Sequence, residues 1–202
     1  PEAARGRAIF AHLGGGASLV AVENGKSIDT SMGFTPTGGV MMSTRSGDLD
    51  PGLLSYLART ESMSASQLQH LLTHESGLLG VSETSADMRQ LLSSEAADER
   101  AADAIAMFCY QIKKRIGAYA AALGGLDTLV FAGGIGENCA TIRSRVCQGL
   151  EFLGVDLDQS RNATHEPVIS KHGARVNVRV IRSNEELIVA RLTCRLLELQ
   201  LS

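Results

Sequence analysis

The chain has no tryptophan, and its aromatics amount to only 4% of 202 residues. Proteins that hold single-stranded nucleic acid stack bases on aromatic platforms, so this scarcity argues against that class. Charge is equally uninformative of a polyanion or membrane surface: the formal net charge is −3, far from the basic balance that such partners select. The four cysteines, Cys109, Cys139, Cys147 and Cys194, are scattered without a C-x-x-C pair. That spacing excludes the common zinc frameworks, and so sparse a set in so long a chain does not form a disulfide scaffold. A cytoplasmic setting is therefore expected, with no nucleic-acid and no membrane partner. Cys109 and Cys194 fall on apolar helical faces and read as small core residues. No stretch resembles a signal peptide or a membrane span. Low-complexity tracts and linkers are missing too, so residues 1–202 read as one domain. The chain opens at Pro1 without an initiator methionine, as expected of a piece of a larger protein.

What is present begins with Phe10–Gly33. Two strand-like runs, Ala17–Val22 and Ser27–Met32, flank Glu23-Asn24-Gly25-Lys26, and Asn-Gly between such runs is a hairpin signal because both residues tolerate positive φ. Before them stands His12-Leu13-Gly14-Gly15-Gly16. Three glycines after an apolar strand leave backbone amides approachable by a phosphate; the plain alternative is a tight turn.

Further along, Asp50-Pro51 opens a helix as N-cap and first residue. Ser64–Thr73 is a second short helix, Glu75–Ala86 a loop, and Asp87-Met88-Arg89 leads into a helical turn. Glu95–Leu123 is the longest periodic segment. Ile105, Phe108, Cys109, Ile112, Ile116, Tyr119, Ala120 and Leu123 recur at helical spacing as a core stripe, closed by Gly124-Gly125. Asp127–Ala132 reads as a buried strand. Gly133–Asn138 reads as a second glycine loop, followed by a helix to about Leu153 carrying Ile142, Val146, Leu150 and Leu153. Strand, glycine loop and helix suit phosphate binding, although neither the dinucleotide spacing nor the P-loop lysine is present. Val155–Gly173 reads as irregular and Val176–Ile181 as a strand. Ser183 to Glu186 forms a capping box for a last helix, whose Leu187, Ala190, Cys194, Leu197 and Leu201 are expected in the core. The alternation of strand and helix predicts an α/β fold with parallel pairing in the second half.

Five motifs then occur in order: HLGGGAS at 12–18, DTSMGFTP at 29–36, TRSGDLDP at 44–51, GGIGEN at 133–138 and SNEEL at 183–187. Together they resemble the acetate kinase family, which includes propionate kinases, from about Ala8 to the C-terminus. The resemblance covers that family's C-terminal lobe. It implies a ribonuclease H-like lobe of the actin/sugar-kinase/heat-shock ATPase superfamily, with a mixed sheet and helices on both faces. It also implies reversible transfer of the ATP γ-phosphoryl group to acetate or another short-chain carboxylate, with Mg2+, and pairing of two copies through this lobe. The other lobe of the family contributes the groups that hold the carboxylate, so this lobe alone is expected to be inactive.

By the same resemblance, His12, Leu13, Gly14, Gly15 and Gly16 contact phosphate, and Arg45 steadies the phosphoryl group in flight. Asp87, Met88 and Arg89 lie on the adenosine side, Gly134, Ile135, Gly136, Glu137 and Asn138 form the second nucleotide loop, and Glu185 is the magnesium-associated acid. Two positions depart from the family pattern: Gly15 stands where Asn is usual, and Met88 where Phe is frequent. Read alone, these residues have plainer roles. Glu185 serves a helix dipole, Arg45 pairs with Asp48 or Asp50, His12 ends a strand, and Asp87 caps a helix. A nucleotide-binding lobe that transfers no phosphate is the alternative. Arg45 discriminates, because such a module has no need of a transition-state arginine.

Overall fold

The computed structural model describes residues 6–182 and 185–197. Five strands form one sheet in the order β3-β2-β1-β4-β5. They are β1 (Arg7–Leu13), β2 (Ala17–Glu23), β3 (Lys26–Thr30), β4 (Thr128–Ala132) and β5 (Asn177–Val180). The first three run antiparallel, whereas β1, β4 and β5 are mutually parallel. This mixed sheet with its helices is the ribonuclease H-like arrangement that the family resemblance implies. Asn24 and Gly25 both have positive φ, at 50° and 80°, so the expected hairpin turn joins β2 to β3. The triple glycine is itself a turn: Leu13 pairs with Ala17 across β1 and β2, so the plain reading of Gly14–Gly16 is correct as well.

Strand alternation decides which face is core. Ile9, Ala11 and Leu13 of β1, Leu19 and Ala21 of β2, and Leu129 and Phe131 of β4 are fully buried. Opposite register positions share a face, and this one is covered by α5 (Glu99–Ala122). All eight expected stripe residues, seven within α5 and Leu123 at its C-cap, are buried. Burial of side chains the size of Ile105, Phe108, Ile112 and Ile116 contributes about 1.5–3 kcal/mol each. The helix expected from Glu95 begins only at Glu99, however. The Asp98 carboxylate accepts from the amides of Arg100 and Ala101 at 3.0 and 3.2 Å. That cap starts α5 and separates it from α4 (Met88–Ser94).

Before α4 come α1 (Pro51–Thr60), α2 (Ala65–His74) and α3 (Gly77–Ser82). Asp50 caps α1 as expected, accepting from Gly52 N at 2.7 Å. The expected loop at 75–86 holds α3. Its helix is a tertiary product, since Leu78 N and Leu79 N donate to the carbonyls of Met42 and Ser43. Gly133–Asn138 is likewise a short helix, α6, and not a loop. The helix expected to reach Leu153 stops early. It comprises α7 (Ala140–Cys147) and, beyond Gly149 at φ 83°, a 3-10 turn at Glu151–Leu153. The irregular stretch contains one short helix, α8 (Gln159–Ala163).

The last helix, α9 (Glu185–Leu196), corrects another expectation. Leu187, Val189 and Leu197 are 43%, 63% and 62% exposed, and Cys194 is only half-buried. Periodicity identifies an apolar face but not what covers it. The Ser183–Glu186 capping box, the side chains of Glu185 and Ala190, and Leu201 lie outside the described residues. No helix among the described residues is long and apolar enough to cross a membrane.

Candidate nucleotide site

A cavity of about 640 Å³ opens beside the C-terminal ends of β1 and β4. It is lined by Gly14, Gly15, Ser43, Asp87, Met88, Arg89, Gly134, Ile135 and Asn138, with Ala86 and Cys139. Its size falls in the range of small-molecule sites. Three segments singled out separately in the sequence therefore meet in one place. The topology explains why, since parallel β1 and β4 deliver the glycine turn and α6 to the same sheet end.

The glycines divide by physical role. Gly133 has φ 77°, and a Cβ there would lie 2.7 Å from the Leu13 carbonyl oxygen and 3.0 Å from His12 Nε2. The fold requires glycine at that position. Gly15 and Gly134 differ: φ is ordinary at both, and a Cβ at either would meet nothing within 4 Å. Packing asks for no glycine there, and both face the cavity. One expectation needs correction, because the amides of the triple glycine are not all bare. Gly14 N donates to the Gly16 carbonyl at 2.9 Å, as the turn closes on itself.

Of the remaining expected residues, His12, Leu13, Gly16, Gly136 and Glu137 do not line the cavity. The Leu13 side chain is fully buried in the core. Gly136 packs on Phe131. Glu137 accepts from Gly133 N through Oε1 at 3.0 Å, holding the start of α6. His12 makes the last pair of β1 with β4, its ring beside Gly133. Gly16 lies against Arg45, whose Nη1 would be 3.5 Å from a Cβ placed there. Glu185 begins α9, with its side chain outside the described residues.

Arg45 holds no ion pair among the described residues, so the plain pairing with Asp48 or Asp50 does not occur. Asp48 accepts from Arg115 Nη2 at 2.6 Å and from Gly39 N at 2.7 Å, and Asp50 caps α1. Arg45 Nη1 instead donates to the Pro36 carbonyl at 3.1 Å. The backbone around it is fixed on two sides. Ser43 N donates to the Gly15 carbonyl at 3.2 Å, and Ser76 N to that of Thr44 at 3.0 Å.

Asp87 caps α4 and receives Arg89 through its amide at 2.8 Å and through Nη2 at 2.7 Å. These bonds pull the carboxyl down to about 2, so the cavity wall carries a paired carboxylate at neutral pH. Met88 is 3% exposed and belongs to the core. Burial pushes the thiols of Cys109 and Cys147 up to about 11 and about 12, which keeps both protonated and inert.

Sequence reasoning missed Ser43, Ala86 and Cys139, each of which neighbours a motif. It also missed Arg143, which is fully buried and is the largest such side chain. The available signal was a charge on the apolar stripe formed by Cys139, Ile142, Val146 and Leu150.

The family model described as Acetokinase matches residues 2–191. The chain is 49% identical over 191 residues to a propionate kinase of Citrobacter rodentium, covering 94% of this chain and 47% of that protein. It is 46% identical over 200 residues to an acetate kinase of Clostridium botulinum, covering 96% and 50%. Among solved structures, Porphyromonas gingivalis acetate kinase superposes with a TM-score of 0.90 at 45% identity, over 96% of this chain and 49% of that one. A propionate kinase from Francisella tularensis gives 0.87 at 40% identity, over 93% and 48%. The chain thus spans about half the length of the curated relatives it matches. With the ordered motifs, the mixed sheet and a family model over nearly its whole length, the chain belongs to the acetokinase family.

Proposed function

We propose that this chain is the nucleotide-binding lobe of a two-lobed kinase that moves the ATP γ-phosphoryl group reversibly onto a short-chain carboxylate such as acetate or propionate. The observation that carries the reading is the convergence of Gly14–Gly15, Asp87–Arg89 and Gly134–Asn138 on one cavity. Two of its glycines there answer no demand of packing. The kinases named above support phosphoryl transfer over mere nucleotide binding. In such chemistry the protein chiefly positions groups and stabilises charge. Gly14, Gly15 and Gly134 leave room for phosphates at the backbone. The Asp87 segment faces the nucleoside side, and Arg45 stands beside Gly16 to meet the phosphoryl group in transit.

The donor chemistry fits Mg2+ that rides on nucleotide phosphates. Among the described residues no three His, Cys, Asp or Glu side chains gather as a protein cage, and Mg2+ takes one or two carboxylates plus phosphate and water oxygens. Glu185, at the start of α9, is the carboxylate we assign to it. Bound Mg2+ would neutralise phosphate charge.

Calorimetry with Mg-ATP tests the reading on this chain. Heat of binding is expected at millimolar nucleotide. Gly15→Val should abolish it without loss of thermal stability, because the added atoms enter open space. A folded wild type that gives no heat would refute the site. Gly15→Asn, which supplies a side-chain donor, should tighten binding.

We also propose that two copies pair through this lobe. The α5 stripe is consumed by the core, whereas α9 carries exposed Leu187, Val189 and Leu197, and we assign the pairing to that helix. Sedimentation at tens of micromolar should give a dimer mass; monomer alone would exclude pairing.

A further inference from the structure

We propose that Arg143 is a positioning residue for the cavity, acting through a buried clamp on α6. The proposal rests on the nucleotide reading above. All three guanidinium nitrogens are engaged. Nη1 donates to the carbonyls of Gly136 and Glu137 at 2.8 and 2.9 Å. Nε donates to Asn162 Oδ1 at 2.8 Å, and Nη2 to the Asn162 carbonyl at 2.7 Å. His165 Nδ1 lies 3.0 Å from Nη2. Arginine has no acceptor, so this ring nitrogen accepts.

Burying a guanidinium is costly unless every donor is satisfied, and an apolar replacement of similar volume is often neutral for stability. Stability alone is therefore a weak reason for an arginine here. What the clamp grips is informative. Gly136 and Glu137 lie in the last turn of a helix of only six residues, whose last carbonyls have no partner within the helix. Three of those six are glycines, Gly133, Gly134 and Gly136, with high backbone freedom. So short and glycine-rich a turn is marginal by itself, yet it presents Gly134, Ile135 and Asn138 to the cavity. Arg143 fixes it from behind.

The anchor is fixed in turn. Asn162 is 1% exposed, and its Nδ2 donates to the Ala140 carbonyl at 2.9 Å and to Ser144 Oγ at 2.8 Å. The clamp therefore couples α8 and His165 to the cavity wall, although neither lines it. A site whose wall is held from outside depends on such support for sub-ångström placement.

The test is hydrogen exchange of the nucleotide-free chain together with Mg-ATP calorimetry. Arg143→Lys keeps the charge but loses the fork. Amides of 134–138 should exchange about tenfold faster and ATP affinity should fall about tenfold, with α5 protection unchanged. His165→Ala, at an exposed position, should shift both readouts in the same direction by about two- to threefold. Arg145→Ala breaks the neighbouring pair with Glu95, held at 2.7 Å. It should lower Tm while leaving 134–138 exchange and ATP affinity unchanged, which separates positioning from general destabilisation. Wild-type exchange at 134–138 in Arg143→Lys overturns the proposal. Should that variant not fold, unchanged exchange in both His165→Ala and Asn162→Ala overturns it. If the wild type binds no nucleotide, the reading of the cavity fails, and exchange at 134–138 alone decides the clamp.

Discussion

Arg45→Ala, in a protein of full family length carrying this lobe, is expected to lower kcat for acyl-phosphate formation by roughly two to four decades. KM for ATP should move only a few-fold. A guanidinium aimed at charge that develops on the phosphoryl oxygens contributes to the transition state and little to bound nucleotide. The structure favours this outcome because Arg45 holds no ion pair among the described residues. Asp48 is taken by Arg115 and Gly39, and Asp50 by its helix cap. Truncation therefore strands no carboxylate, and stability should change little. Arg45→Lys should rescue poorly, since a point charge cannot grip two oxygens at once. A hydroxamate assay of acyl phosphate gives the rates. Near-normal kcat in the alanine variant would reduce Arg45 to a residue that pins the loop through the Pro36 carbonyl.

Gly77→Ala should be among the most damaging single methyl additions in the described residues. Gly77 has φ 65°, where an L-residue costs about 1–2 kcal/mol. Its Cβ would also overlap the Met42 carbonyl oxygen and come within 2.8 Å of that of Arg45. Those neighbours are backbone and cannot rotate away. Overpacking of this kind adds about 1–3 kcal/mol. The total, about 2–5 kcal/mol, corresponds to a Tm lower by roughly 5–15 °C for a chain of this size. Since the displaced backbone carries Arg45, kcat in the full-length protein should fall beyond what the stability loss explains. Gly15→Ala is the matched control: nothing lies within 4 Å of its Cβ, so stability should stay within about 0.5 kcal/mol. Thermal and urea unfolding of both variants by circular dichroism measure the contrast. Equal stability of Gly77→Ala and wild type would mean that residues 42–45 yield freely, contrary to their bonds with α3.

Some of this molecule was legible from residues alone, because the determining physics is local. The α5 stripe needs only the helical period, and all eight of its residues are buried. Asn24-Gly25 needs only tolerance of positive φ. Asp50-Pro51 needs only a carboxylate before a ring that cannot donate. The parallel pairing of β1, β4 and β5 follows from helices long enough to cross between strands. The segments at 12–16, 87–89 and 134–138 were legible as motifs, and the family resemblance assigned all three to the nucleotide.

The rest was decided by contacts between residues far apart in the chain. Helix α3 stands where the sequence reads as a loop, because the carbonyls of Met42 and Ser43 accept its first amides. Gly133–Asn138 is helical and not a loop, and Arg143 holds its carbonyls from another helix. Gly15, Gly133 and Gly134 are alike as letters. Only the fold distinguishes the one that a Cβ would break from the two that open onto the cavity. The apolar face of α9 shows the same limit from the other side: spacing sets which side chains lie together, and only the tertiary structure decides whether anything covers them. Local propensity and periodicity fix a segment's type and its faces, whereas burial, left-handed backbone and buried hydrogen bonds depend on neighbours that the chain supplies only once folded.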